Sequence, residues 1–133
     1  MRNKWIYAVL TACAVMQAAC GRTDTEIEQA AHEYCQATAE YDFERAGEWC
    51  TEETRQTTLA MFGQLMPMVD SAYLAADRPA HIDITGVHRT SDTTATAVYH
   101  KQTPLKDFTD TLELRLRDGR WLAHSPLSRR GTK

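Results

Sequence analysis

The sequence of 133 residues has no excess of positive charge, no apolar run of membrane-spanning length, only four cysteines and none of the short motifs that mark a phosphate loop or a hydrolase elbow. Each absence excludes something. Lys and Arg number 15 against 18 for Asp and Glu, giving a net charge of −3. With a pI near 5.9 there is no positive field to condense on a phosphate backbone, so nucleic acid is not an expected partner. The uncharged stretch from Trp5 to Val15 falls short of the roughly 20 apolar residues a transmembrane helix needs. The lack of a Gly-x-Ser-x-Gly elbow, a glycine-rich phosphate loop and a dinucleotide fingerprint removes the main support for hydrolase and nucleotide-binding readings. His32, His81, His88, His100 and His124 include no pair four residues apart. His32 and Cys35 are three apart on one helix face but find no fourth ligand, so neither metal nor other cofactor is expected. The length holds one ordinary domain, and no internal repeat or low-complexity linker divides it.

What is present begins with an address. Arg2 and Lys4 precede the apolar core, and Met16-Gln17-Ala18-Ala19-Cys20-Gly21 then places small residues before a cysteine. Basic start, short apolar run and small residues stand in secretory order, and the stretch resembles a bacterial lipobox. Residues 1–19 are then a signal peptide, Cys20 carries lipid on its thiol and its new amine, and residues 20–24 form a short tether. Leu10-Thr11-Ala12-Cys13 matches the four-residue motif better. Cleavage before Cys13, however, would leave Ala14-Val15-Met16 apolar at the mature end, and the polarity break after Gly21 favours Cys20. Several acyl chains anchor stably, at about 0.8 kcal/mol per buried methylene. The expected location is the bacterial cell envelope, periplasmic or surface-displayed, with the membrane as partner through the lipid. Losing Arg2 and Lys4 with no acid moves the net charge from −3 to −5.

In the mature chain, Ile27, Ala30, Ala31, Tyr34, Cys35 and Thr38 repeat at helical spacing, with Thr25 and Glu28 as a capping box. Asp42 caps a second helix whose Phe43, Ala46, Trp49 and Cys50 share a face. Thr51 caps a third stretch through Leu59, Phe62, Leu65, Met66, Val69 and Tyr73, which Pro67 should bend or interrupt. Cys35 and Cys50 are left as either a disulfide between adjacent helices or two small buried hydrophobes.

Beyond Pro79 the period changes to two. Ile82 to Val87 reads as a strand with a bulge or end at Gly86, and Thr93 to Lys101 as a second after a Ser91-Asp92 turn. Phe108, Asp110, Leu112, Leu114 and Leu116 alternate with polar residues in a third. Asp118-Gly119 then supplies a type I′ turn into Arg120-Trp121-Leu122-Ala123-His124. Helices followed by an antiparallel meander define an α+β domain.

The Tyr41-Asp42-Phe43-Glu44-Arg45-Ala46 turn, the Cys50-Thr51-Glu52-Glu53-Thr54 helix start and the closing Leu114 to Trp121 hairpin, in this order after an amphipathic helix, resemble the nuclear transport factor 2-like superfamily. With the leader, the chain is similar to its lumazine-binding-like bacterial lipoproteins of unknown function. The resemblance implies a cone over residues 25–126, with three N-terminal helices packed in a curved four-stranded antiparallel sheet around a pocket. Residues 127–133 are expected to be a frayed tail. The superfamily holds isomerases, cyclases and dehydratases as well as domains that only bind, so the fold decides no function.

An isomerase or cyclase would need an inward acid, and Asp110 on the apolar strand face is the best available, with Tyr34, Tyr73 and Tyr99 on buried faces as hydroxyl donors. The plainer account puts Asp110 in water and the tyrosines in the core. A binding module asks for less: a cone lined by Tyr34, Met66, Tyr73, Tyr99, Leu114 and Trp121 could hold a small apolar or aromatic ligand. An envelope protein partner or a weak homodimer would use the polar outer face bearing Thr109, Thr111, Glu113, Arg115 and Arg117. The residues favour a noncatalytic binding or interaction module.

Overall fold

Alternating polarity from Ile82 onward becomes one antiparallel meander. The computed structural model describes residues 23–128. The leader, Cys13, Cys20 and the first residues of the tether lie outside that range, as do residues 129–133. Strands β1 (His81–Arg89), β2 (Thr94–Gln102), β3 (Asp107–Arg117) and β4 (Arg120–Ala123) form one sheet in that order. Register shifts between Ile84 and Gly86, and such a bulge bends its strand and raises its twist. Asp118 at φ 52° and Gly119 at φ 79° both occupy the left-handed region, which is the type I′ geometry that Asp-Gly predicts. Before β2, the Ser91 hydroxyl accepts the N–H groups of Thr93 and Thr94 at 3.2 and 3.1 Å.

The helical half departs more from its period. Helix α1 spans residues 23–39, so Thr25 sits inside it and not at its cap. Helix α2 (Phe43–Gly47) is capped by Asp42, whose Oδ1 accepts the Arg45 N–H at 3.1 Å. It ends before Trp49 and Cys50, because the chain there pairs with β4 instead. The Ala123 N–H donates to the Trp49 carbonyl at 2.8 Å and the Thr51 N–H to the Ala123 carbonyl at 2.9 Å. Helix α3 (Glu52–Thr54) runs through a π-helical turn (Arg55–Leu59) into α4 (Ala60–Leu65). Thr51 stands at the N-cap but its side chain does not cap. It bonds the hydroxyl of Thr54 at 2.8 Å and Nδ1 of buried His124 at 2.9 Å. At Pro67 the helix tightens into a 3-10 turn (Met66–Met68) and stops, as a residue without an amide hydrogen requires. Asp70 then caps a new helix, α5 (Ser71–Ala76), by accepting the Ala72 N–H at 2.9 Å. This restart resets the helical phase and turns Tyr73 outward, 42% exposed, where the uninterrupted period had placed it on a buried face.

The core lies between α1 and the concave sheet face. Ala31, Ala37 and Ala39 of α1 and Ala95 and Ala97 of β2 are completely enclosed. Side chains this small bring the helix backbone directly onto the strand, and Ile27, Leu112, Leu114 and Trp121 fill the space on either side. The chain stays attached beyond residue 126, since the Leu127 N–H donates to the Thr57 hydroxyl at 3.0 Å.

Candidate functional site at the mouth of the cone

Packing is tight over Leu112 and Leu114 but opens toward the start of β3. Every residue from Asp107 to Thr111 is exposed, on both faces of the strand. Register pairs Tyr99 with Asp110 and Lys101 with Phe108. Directly opposed residues share a face, so these four side chains form a block on the concave side beyond the cover of the helices. The Tyr99 and Phe108 rings meet edge to face with centroids 6.4 Å apart, and Lys101 Nζ lies 5.8 Å from the Phe108 centroid. Behind them α1 supplies Tyr34 and Cys35, both buried.

Burial governs the electrostatics. It pushes the Cys35 thiol up to about 12, with Lys101 opposing and Asp110 reinforcing the shift. Burial likewise lifts the Tyr99 hydroxyl to about 12, aided by Cys35 and Asp110. Tyr34 is raised by burial and then by Cys50, Cys35 and Tyr99. Lys101 moves down, first through burial and then through neighbouring Lys106. The thiol and phenols therefore remain protonated at neutral pH, and the block offers aromatic faces, hydroxyls and one amine.

One rim of the mouth is tied by a carboxylate that sequence reasoning passed over. Asp77, completely buried, accepts the Tyr41 hydroxyl at 2.6 Å, the Thr103 hydroxyl at 2.5 Å and Lys106 Nζ at 2.9 Å. Burial would raise its pKa, but the bonds from Thr103, Tyr41 and Lys106 outweigh that and hold it at about 2. Lys106 also lies 5.6 Å from the Tyr73 ring centroid. Tyr41 reaches Asp77 because it closes α1 in a left-handed conformation, φ 62°. The Asp42 N–H bonds the Ala37 carbonyl at 2.8 Å and the Tyr41 N–H the Thr38 carbonyl at 3.1 Å, which is a Schellman closure. The knot thus joins the ends of α1 and α5 to the β2–β3 loop.

A solved structure matches this arrangement at a TM-score of 0.53, covering 77% of this chain and 98% of that one at 18% identity. It is an NTF-2-like protein of unknown function from Shewanella oneidensis MR-1. The fold is that of the nuclear transport factor 2-like superfamily. No protein-family model and no curated protein matches the sequence.

Within this NTF2-like cone the six expected lining residues separate. Leu114, Trp121 and Tyr34 belong to the close-packed core, whereas Tyr73 faces solvent. Met66 is half-buried on the 3-10 turn, and Tyr99 alone of the six stands half-open at the mouth. Cys35 and Cys50 are buried, and both stand as free thiols in this structure. Asp110 is exposed, its Oδ1 accepting the Thr111 N–H at 2.8 Å. Sequence reasoning missed Lys101 and Phe108 as site residues, although alternation alone places Phe108 on Asp110's face. Nothing local could have joined Asp77 to Tyr41 or Lys106.

Proposed function

We propose that this chain is a lipid-anchored envelope protein whose small domain binds a ligand without catalysing a reaction, at the mouth of the cone. The carrying observation is the half-open block of Tyr99, Lys101, Phe108 and Asp110, which offers two ring faces and one charge of each sign on a ledge that the core leaves uncovered. A small aromatic molecule with a polar substituent fits that chemistry: the rings supply contact area, and the charges fix orientation. Anchoring rests on the lipobox-like Met16 to Gly21.

Native mass spectrometry on the chain purified from its own host's envelope tests both parts. The expected spectrum shows the acyl mass on Cys20 and a retained small molecule that Phe108→Ala and Tyr99→Ala release. A chain that arrives empty, and whose melting temperature does not move with a panel of aromatic compounds, overturns the binding reading. A Cys20→Ser chain that still sediments with membranes overturns the anchor.

A further inference from the structure

A second concavity lies away from the mouth, between the chain leading from α2 into α3 and the β3–β4 hairpin. It encloses about 700 Å³ and is lined by Trp49, Cys50, Arg55, Arg117, Arg120 and Leu122, with Glu48, Glu52 and Asp118 among the acids around it. That volume lies within the usual range for small-molecule sites.

A charge ledger of the lining narrows what fits. Arg55 is bonded to Glu52, and Arg117 donates to Glu53 at 2.5 Å, so two of the three guanidinium groups are already neutralised. Arg120 has no carboxylate within ion-pair distance among the described residues. Its guanidinium lies over the Trp49 ring, 5.3 Å from the centroid, and donates to the Glu48 carbonyl at 3.2 Å. A planar guanidinium held on an indole keeps further N–H groups for a fork-shaped acceptor. Glu48 and Asp118 likewise have no salt-bridge partner among the described residues, and both are exposed. What the cleft leaves unspent is one cation and two anions, with the Trp49 indole lying under that cation and Cys50 and Leu122 as apolar lining.

We propose that this cleft binds a small zwitterion of the α-amino acid class with a flat apolar side chain. Its carboxylate meets Arg120, its ammonium meets Glu48 and Asp118, and its side chain lies over Leu122 beside the Arg120–Trp49 stack. A polyphosphate does not suit the site, because a single free guanidinium shares the lining with two carboxylates that have no salt-bridge partner among the described residues. A simple cation leaves Arg120 unanswered.

The test follows the indole N–H signal of Trp49 by NMR during titration with L-phenylalanine, N-acetylphenylalanine and phenylalaninamide. L-phenylalanine is expected to shift that signal and to bind about tenfold tighter than either blocked form, the scale of one charge-assisted hydrogen bond. Arg120→Gln should reduce L-phenylalanine to the affinity of the amide. Glu48→Gln with Asp118→Asn, which keeps a residue tolerant of the left-handed turn, should reduce it to the affinity of the acetylated form. Arg120→Lys serves if Arg120→Gln unfolds, and it should lose most of the gain because an ammonium has no fork. No shift at Trp49, equal binding of all three compounds, or binding unaffected by these variants overturns the proposal. Because the readout is Trp49 and not the mouth, an empty mouth leaves this test intact.

Discussion

Asp77 shows what a single side chain decides in this molecule. A buried carboxylate with three donors keeps its charge, and its pKa near 2 stands below the ordinary value of 3.8. A depressed pKa stabilises the fold above the unfolded-state value, and that stabilisation is lost as pH falls through the folded-state value. Acid titration should therefore show stability declining between about pH 4 and 2, and Asp77→Asn should flatten that limb when unfolding is followed by circular dichroism. Tyr41→Phe removes one donor without touching the charge and should cost about 1.5–3 kcal/mol in chemical denaturation, the range for a hydrogen bond to a charged group. None of this could be read from the sequence. Asp77-Arg78-Pro79 looks like an ordinary helix exit, and its partners arrive from residues 41, 103 and 106 only once the sheet has formed. Asp110 was legible in its plainer reading: a carboxylate among alternating apolar residues either finds buried partners or ends in water, and here it ends in water.

At the scale of elements, legibility follows the range of the forces. The β3–β4 hairpin depends on Asp118 and Gly119 and on alternation within one segment, so it was readable at once. The helical half depends on contacts across the fold. Thr51 gives up its capping role to His124, and Cys50 leaves α2 to lie beside Ala123. The resulting staple holds the start of α3 against the end of β4, with the Ser125 N–H donating to the Thr54 hydroxyl at 2.9 Å and the Thr58 hydroxyl donating to the Ser125 carbonyl at 2.5 Å. Burial pushes the His124 pKa below 6.5, assisted by Arg115 and Arg117 and opposed by Glu113 and Glu53. Protonation therefore favours the unfolded chain. Stability from this group is fully present above about pH 6.5 and declines as pH falls below it, well above the window of Asp77. His124→Asn should erase the upper limb of the stability–pH curve and leave the acid limb in place. A curve whose upper limb survives the substitution would show that another group carries it.

For the whole molecule, the proposed anchor raises the question of which end would meet the membrane. If Cys20 carries the lipid, the anchor stands three residues before the first described residue of α1, Thr23. The helix of residues 23–39 is about 25 Å long at 1.5 Å per residue, and the mouth lies at its far end, where Tyr41 joins the Asp77 knot. The opposite end carries the β1 bulge, since Asp24 and Glu28 share a shallow cleft with Thr85, Gly86 and Val87. The net charge of −5 expected once residues 1–19 are removed would oppose laying the domain flat on an anionic leaflet. With that anchor, Leu105, 50% exposed, would project with the mouth away from the bilayer. Fluorophores placed at Thr85→Cys and Leu105→Cys in the lipidated chain, reconstituted with brominated lipids, should report strong quenching at position 85 and little at 105. Equal quenching at both would mean that the domain lies on its side and that the mouth opens along the membrane surface, which would point the search toward a ligand drawn from the bilayer.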